Sequence, residues 1–512
     1  MAVSSQSTAD DPEGWAAVIE ITSPLTGEVV GHVARHTAED IGAATARARA
    51  AQPAWAALPF RQRARVFKRF HDLILKERDS LFDVIQVETG KSRRDAFVEL
   101  FATASEARYY AYHGGRFLRP RRVKPAIPLR DRTRVIYRPV GVVGLISAWN
   151  FPFILSAGDA IPALLAGNGV VNKPASLTPL TALWARARLI EAGLPADLFQ
   201  VVTGPGHELG SALIDGVDCV MFTGSTAVGR WVAERAARRL IPYSMELGGK
   251  NALLVLPDAN LRHAAQVAVE GGFNNCGQVC VNWERIYVHE RVYQAFVDEL
   301  LEQTAAIRLG NSRAFDVDLG SLISRAQLET IKAHVKDALE KGARVLAGGK
   351  RRPDLGPLFY EPTILADVTP DMRVHDEETF GPVMAVYSVT SVEEAIRRAN
   401  DSRYGLHFGV FTADRAEGRR VAARLEAGSV SVNDSYMAWA AMDAPMGGFK
   451  ESGVGRRHGP EGIHKYTEQQ TILTNMTGFQ ITSSETALAI NDRLANLLAL
   501  LLRVWRHIPF LR

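Results

Sequence analysis

A chain of 512 residues, 47% hydrophobic and 23% charged, is too long for a single hydrophobic core and has the composition of a globular protein with two or three lobes. Its 60 basic and 56 acidic side chains leave a formal charge of +4, which carries no electrostatic footprint for nucleic acid. Three cysteines, Cys219, Cys276 and Cys280, are too few for a disulfide framework and point to a reducing compartment, the cytoplasm. With no companion Cys/His cluster they also predict no metal site.

Residues 1–14 are polar, lack a charged-then-apolar signal pattern, and are expected to form a loose arm. Alternation around Pro24-Leu25-Thr26-Gly27 predicts a hairpin over 16–36. Apolar residues at three and four spacing predict helices over 37–54, 61–89 and 93–115, the first opening at Thr37 and the second closing at Gly90. Residues 118–138 are basic and proline-rich, then strand-like, and suit a projecting ribbon rather than a core. From 140 onward strands and helices alternate: strands 140–147, 169–173, 198–204 and 219–224, and helices 153–167, 178–193, 206–215 and 226–239. That alternation implies βαβ units in a doubly wound parallel sheet. A second alternating series starts at 248, with a helix over 261–276, the strand 285–290 and a helix over 291–308. Residues 464–474 read as a returning strand. The apolar run in 484–512 is far short of the roughly 20 residues needed to span a bilayer; a helix packed on a neighbouring subunit is expected there, with peripheral membrane contact the alternative.

Several short motifs fall where such strands end. GPGHELG (204–210), with Gly206 at its centre, and FTGSTAVGR (222–230), with Gly224 and Ser225, each follow a strand and open a helix, where backbone amides can hold a pyrophosphate. Lys173 ends a strand, in position for a ribose hydroxyl or a phosphate. Asn150 follows the strand 140–147, and its amide could donate to an oxyanion. Glu246 precedes Gly248-Gly249 and could act as a base. Cys280 is delivered by a glycine-punctuated loop just before a strand, as a covalent catalyst would be. Taken singly, each has an ordinary alternative: a turn, a helix cap, a solvated lysine, a salt-bridged glutamate or a core thiol.

Their joint order resembles the NAD(P)-dependent aldehyde dehydrogenases over about residues 16–475. The resemblance rests on WNFP (149–152), KPAS (173–176), FTGST (222–226), MELGGKN (245–251), GQVC (277–280), EETFGPV (377–383) and PMGGFKESGVG (445–455). It implies a doubly wound cofactor domain (1–117 and 139–247), a second α/β catalytic domain (248–463), a β-ribbon oligomerisation arm (118–138 and 464–475) and a C-terminal tail (476–512). A homodimer or homotetramer is implied with them. Cys280 is then the nucleophile, Asn150 with the Cys280 amide the oxyanion hole, and Glu246 the base that hydrolyses the thioester. Trp149, Lys173, Ser176, Gly206, Gly224, Ser225, Leu247, Glu378 and Phe380 are the cofactor contacts. An acyl transfer to CoA instead of water is disfavoured because Glu246 is present.

NAD-specific members commonly place Glu where this chain has Ser176; a carboxylate repels a 2′-phosphate and serine can donate to it, so NADP is expected to be preferred, with NAD accepted. The stretches 320–328, 356–365 and 453–468 are most similar to a bacterial NADP-linked succinate-semialdehyde dehydrogenase subgroup. Two arginines that better-known members use for the substrate carboxylate fall here on Gly158 and Asn274, which removes a bidentate grip. With Phe153, Trp283 and Trp439 expected near the tunnel, medium-chain or aromatic aldehydes are the alternative substrates. Cys276, four residues before the nucleophile, raises the further alternative of a reversible regulatory disulfide.

Overall fold

The computed structural model describes residues 17–127, 129–478 and 492–507; the expected N-terminal arm over 1–14 and part of the tail lie outside them. Two compact units are present: residues up to 118 together with 138–468, and residues 119–137 together with those from 469 onward.

In the larger unit the N-terminal hairpin pairs Val18–Thr22 with Val29–Ala34. The helix Ala38–Ala57 starts with a capping box, Thr37 Oγ1 accepting from the Asp40 amide while the Asp40 carboxylate accepts from the Thr37 amide. The single helix expected over 61–89 is instead two, Phe60–Lys76 and Arg78–Thr89, parted at Glu77. The apolar face continues across the break, so spacing alone does not reveal it. Gly90 closes the second helix at φ 75°, and a Cβ there would lie 2.1 Å from Ser321 Oγ.

The first sheet has six strands in the order Gly453–Val454, Tyr243–Glu246, Cys219–Thr223, Val142–Ser147, Gly169–Pro174, Phe199–Val201. All but the first run parallel. The chain winds outward from Val142–Ser147 to Phe199–Val201, then returns to lay Cys219–Thr223 on the other side. Strand order therefore reverses between Val142–Ser147 and Cys219–Thr223, where ligands of open α/β sheets bind. A π-helical turn, Ile154–Gly158, precedes the helix Asp159–Ala166 over this crevice.

The second sheet has seven strands: Arg344–Ala347, Thr363–Ala366, Val383–Val389, Trp283–His289, Asn251–Val255, His407–Phe411, Ser429–Val432. Arg344–Ala347 is antiparallel and the rest are parallel. Trp283 is fully buried in its core, stacked on His407 with ring centroids 5.9 Å apart. The ring needs Gly271 and Gly409 as neighbours, since a Cβ at either would come within 2.3 and 2.5 Å of it. Trp283 is thus a core residue and not part of a tunnel wall, and Phe153, buried against Phe70 and Trp184, is likewise core.

The helix expected over 261–276 ends at Phe273. Asn274–Gly277 form a short 3-10 turn in which Asn275, Cys276 and Gly277 all have left-handed backbones, at φ 51°, 53° and 67°. This reversal turns the chain toward Cys280.

In the smaller unit Arg121–Val123 pairs antiparallel with Asp131–Pro139, and Thr467–Asn475 lies on the other side of the latter. Its helix Asp492–Trp505 exposes Leu497, Leu500 and Leu502. No described helix is long and apolar enough to cross a membrane.

Gly277 tests the geometry of the reversal. A Cβ there would lie 2.0 Å from the Gly381 carbonyl oxygen, on a left-handed backbone. Gly277→Ala is expected to destabilise the fold by about 2 kcal/mol or more, through overpacking and backbone strain together. Thermal unfolding reads this as a fall of several degrees, and an unchanged midpoint would show that the turn relaxes freely.

Candidate active site

The carboxyl ends of the six-stranded sheet and the amino ends of the central strands of the seven-stranded sheet face one cavity of about 390 Å3. Nine of the twelve residues singled out in the sequence line it: Trp149, Asn150, Gly224, Ser225, Glu246, Leu247, Cys280, Glu378 and Phe380. Lys173, Ser176 and Gly206 do not. They form a neighbouring group at the ends of Gly169–Pro174 and Phe199–Val201, with a Gly206 Cβ position 3.8 Å from the Lys173 side chain and Ser176 Oγ donating to the Gly204 carbonyl at 2.9 Å. Lys173 is buried, which pushes its ammonium down to about 8, and donates to the Pro174 carbonyl.

The loop that carries Cys280 is held by side-chain amides. Asn150 Nδ2 donates to the Gln278 carbonyl at 3.0 Å, and Asn275 Nδ2 donates to both the Asn150 and Gln278 carbonyls. Gln278 bonds back to the Asn275 carbonyl and accepts from the Ile323 amide. Asn251 Nδ2 holds the Cys280 carbonyl at 2.8 Å. That carbonyl approaches Gly249 so closely that a Cβ there would be 2.6 Å away. Lys91, fully buried, donates to the Asn150 carbonyl and to Glu99, whose other oxygen accepts from the Phe153 amide. The Trp149–Pro152 turn is therefore pinned from the helix Arg93–Phe117.

Cys280 itself is half-buried at the cavity wall. Burial first, then the nearby Glu246 and Glu378 carboxyls, push its thiol up to about 12, with Arg457 opposing. The sulfur is held as a neutral thiol at pH 7. Glu246 is buried, neither carboxyl oxygen has a hydrogen-bond partner among the described residues, and burial raises it to about 7. Glu378 accepts from the Gly249 amide at 2.7 Å and is pushed up to about 8 by burial and by Glu284. Glu284 in turn pairs with Lys250 and accepts from the Thr379 and Phe380 amides, which fixes Phe380 edge-on to Trp149 at 5.3 Å. Gly224 accepts no side chain without displacing the Phe222 ring, and Ser225 caps the helix Thr226–Arg238.

The remaining wall is apolar: Val98, Ala102, Phe151, Ile154, Leu155 and Trp439 among others. Trp439 sits as expected from sequence. Asn274 also lines the cavity, whereas Gly158 is buried behind Glu106, whose carboxyl would lie 2.8 Å from a Cβ at that position. Two basic residues reach the lining, Arg457 and His458. Arg457 is bound to Asp159, and burial pushes His458 down to about 3, leaving it neutral. Cys276 is buried and donates to the Gly320 carbonyl; Cys219 lies in the core.

Asp159, Arg457, Lys91 and Asn251 are site residues that sequence reasoning missed. Arg457 and Asn251 lay inside quoted motifs or the stretch 453–468, but their partners are remote in the chain.

An open parallel sheet whose switch point, glycine turn and helix N-terminus face an apolar cavity with a cysteine in its wall is the architecture of a dinucleotide-dependent oxidoreductase. Residues 11–472 match the family described as the aldehyde dehydrogenase family. A protein of Mycobacterium ulcerans named putative succinate-semialdehyde dehydrogenase (NADP+) 2 is 49% identical over 455 residues, 89% of this chain and 88% of that one. A similarly named Mycolicibacterium smegmatis protein is 50% identical over 456 residues, again 89% and 88%. Among solved structures, betaine aldehyde dehydrogenase of Staphylococcus aureus in complex with NAD+ aligns with a TM-score of 0.86 and 32% identity, covering 91% of this chain and 93% of that one. An E. coli NADP-dependent enzyme aligns at 0.87 and 35%, covering 90% and 95%. The chain belongs to the aldehyde dehydrogenase family and is an NAD(P)-dependent aldehyde dehydrogenase.

The thiol's surroundings fix its chemistry before any cofactor binds. Iodoacetamide is expected to modify Cys280 alone of the three cysteines, with a rate that climbs about tenfold per pH unit between about pH 7 and 10 as the thiolate fraction grows. Peptide mapping with a time course reads both. A rate already flat at pH 7 would mean that burial does not hold the proton on sulfur.

Proposed function

We propose that the chain is a hydrolytic, NADP-preferring aldehyde dehydrogenase in which Cys280, Asn150 and Glu246 carry the chemistry. The observation that supports this best is that the three face one cavity that Gly224, Ser225, Leu247, Glu378 and Phe380 also line. The Cys280 thiol first gives up its proton to water, and the thiolate attacks the aldehyde carbon while the Asn150 amide with the Cys280 N–H receives the oxyanion of the thiohemiacetal. Asn150 Nδ2 gives up the Gln278 carbonyl to do so. Bound NAD(P) supplies the hydride acceptor. The residues fit it: the Gly224 cradle and the capped helix N-terminus suit a pyrophosphate, and the Lys173–Ser176 group suits an adenosine ribose. Glu378, now on the Gly249 amide, would hold the second ribose, and Trp149 and Phe380 would flank the ring. The thioester left on Cys280 is hydrolysed by water from which Glu246 takes the proton.

In this reading the six-stranded sheet with residues 1–117 and 139–247 binds the cofactor, the seven-stranded sheet within 248–463 presents Cys280, and 118–138 with 464–475 forms the arm of a cytoplasmic homodimer or homotetramer. The relatives' names bring succinate semialdehyde to this chain as the first substrate. A second reading, medium-chain or aromatic aldehydes, is favoured by the cavity wall, where Arg457 is already engaged by Asp159 and His458 is neutral.

One assay addresses both cofactor and substrate. Succinate semialdehyde, hexanal and benzaldehyde are each offered with NADP and with NAD, and reduced cofactor is followed by absorbance. NADP is expected to give the higher kcat/KM, and Ser176→Glu to lower the NADP to NAD ratio by about tenfold or more through repulsion of the 2′-phosphate. NAD favoured tenfold in the parent would overturn the cofactor assignment. The aldehyde with the highest kcat/KM decides between the two substrate readings.

A further inference from the structure

Arg457 is the charged residue of the cavity whose contacts are spent most completely. Its Nε and Nη2 form a bidentate pair with the two Asp159 oxygens at 2.8 and 2.7 Å, and Nη2 also donates to Thr223 Oγ1 at 2.6 Å. Its backbone is fixed as well, bonded in both directions to Met446 at 2.7 and 2.9 Å. What remains is Nη1, which points at Glu246 and lies 3.8 Å from Oε2. Since neither Glu246 oxygen has a hydrogen-bond partner among the described residues, this edge of the guanidinium is its nearest charged contact.

The other charges around Glu246 are Lys465 and Arg456, and the neutral Cys280 thiol lines the same cavity. Glu106, from the helix Arg93–Phe117, faces Asp159 and is pushed up to about 8 by burial and then by Asp159, which leaves it neutral at pH 7.

We propose that the Asp159–Arg457 pair is a positioning device for Glu246: Asp159 locks the guanidinium, and its one free edge holds Glu246 in place as the base of acyl-enzyme hydrolysis. This rests on the reading of Glu246 as that base. Asp159 and Arg457 act through Glu246 and need not touch the substrate.

The two partners act on Glu246 with opposite signs. Arg457 favours its ionised form and Asp159 disfavours it. Water activation needs the ionised form, so hydrolysis rises with pH through the Glu246 midpoint, which lies at about 7. Removing the Asp159 charge must move that midpoint down, and removing the Arg457 charge must move it up.

The full-length enzyme can be tested without cofactor by acylating Cys280 with p-nitrophenyl acetate. The thiolate attacks the ester carbonyl and nitrophenolate leaves. Water then attacks the acetyl thioester, the C–S bond breaks, acetate leaves, and the water proton goes to Glu246. Decay of the acetyl-enzyme, read by intact mass, is followed from about pH 5.5 to 9. Asp159→Asn, which keeps the shape and one of the two acceptor oxygens while removing the charge, is expected to lower the midpoint by about half a unit or more, and Arg457→Gln to raise it by a similar amount. Arg457→Lys should keep the midpoint near the parent value with a slower decay, because charge survives and the bidentate lock does not. If Arg457→Gln does not fold, Asp159→Asn and Arg457→Lys still give the two distinguishable outcomes. Midpoints that stay put, or move together, would overturn the proposal, since a merely structural pair slows hydrolysis without opposite shifts. Glu246→Gln separates the two levels. If its acetyl-enzyme decays with the parent profile, Glu246 is not the base; if it stalls while Asp159→Asn leaves the midpoint unmoved, only the positioning role fails.

Discussion

Buried charge is the constraint on which this site depends. Three ion pairs with almost no solvent contact surround the cavity: Lys91–Glu99, Lys250–Glu284 and Arg457–Asp159. Such pairs are poor sources of stability, because the desolvation of both ions offsets their attraction, and yet removing one partner leaves a stranded charge at a cost of about 3–5 kcal/mol. Their placement shows what they do instead. Lys91–Glu99 ends on the Asn150 carbonyl and the Phe153 amide, Lys250–Glu284 on the Thr379 and Phe380 amides, and Arg457–Asp159 beside Glu246. The first two pairs fix irregular segments that carry residues of the proposed chemistry, and the third lies beside Glu246 at the end of the strand Tyr243–Glu246.

The same economy of movement governs Cys280. Three successive left-handed residues, an arrangement unusual outside glycine, reverse the chain before it, and five amide side chains bind the carbonyls of the loop. The strain stored there has a direction: it brings the sulfur to the cavity wall, while Cys276, four residues earlier, is turned inward onto the Gly320 carbonyl. Two thiols so near in sequence therefore meet opposite environments, one half-buried at the wall and one sealed. Cys280 remains protonated because burial outweighs the single cation nearby.

Much of this was legible in the sequence, and the reason differs by element. The parallel strands announced themselves as apolar runs bounded by glycine turns, and the residues at their ends followed from where open sheets bind ligands. Cys280, Asn150 and Glu246 were readable because short motifs carry them. Arg457 and Asp159 were not, since they lie 298 positions apart and nothing local marks one as the partner of the other. The break at Glu77 was hidden by an apolar face that continues through it. Trp283 and Phe153 were misplaced because a large aromatic near a motif reads the same whether it faces a cavity or a core. Only the glycines opposite Trp283, Gly271 and Gly409, distinguish the two, and that relation appears when the strands are assembled.

Arg457 also bears on which aldehyde this cavity suits. Among the described residues lining it, Arg457 is the permanently charged cation, and its hydrogen bonds are already committed to Asp159 and Thr223. A substrate carboxylate deep in the cavity would have to draw the guanidinium from Asp159, leaving that carboxylate buried without its partner and disturbing the one charged contact of Glu246. The cost falls on Glu246, the group proposed to activate water. A semialdehyde anion can be processed here without that conflict only if its carboxylate stays toward the mouth, where hydration persists, while an uncharged aldehyde meets Val98, Ala102, Ile154 and Leu155 with no such condition. In the proposed mechanism, base positioning and substrate charge are thus coupled through one side chain.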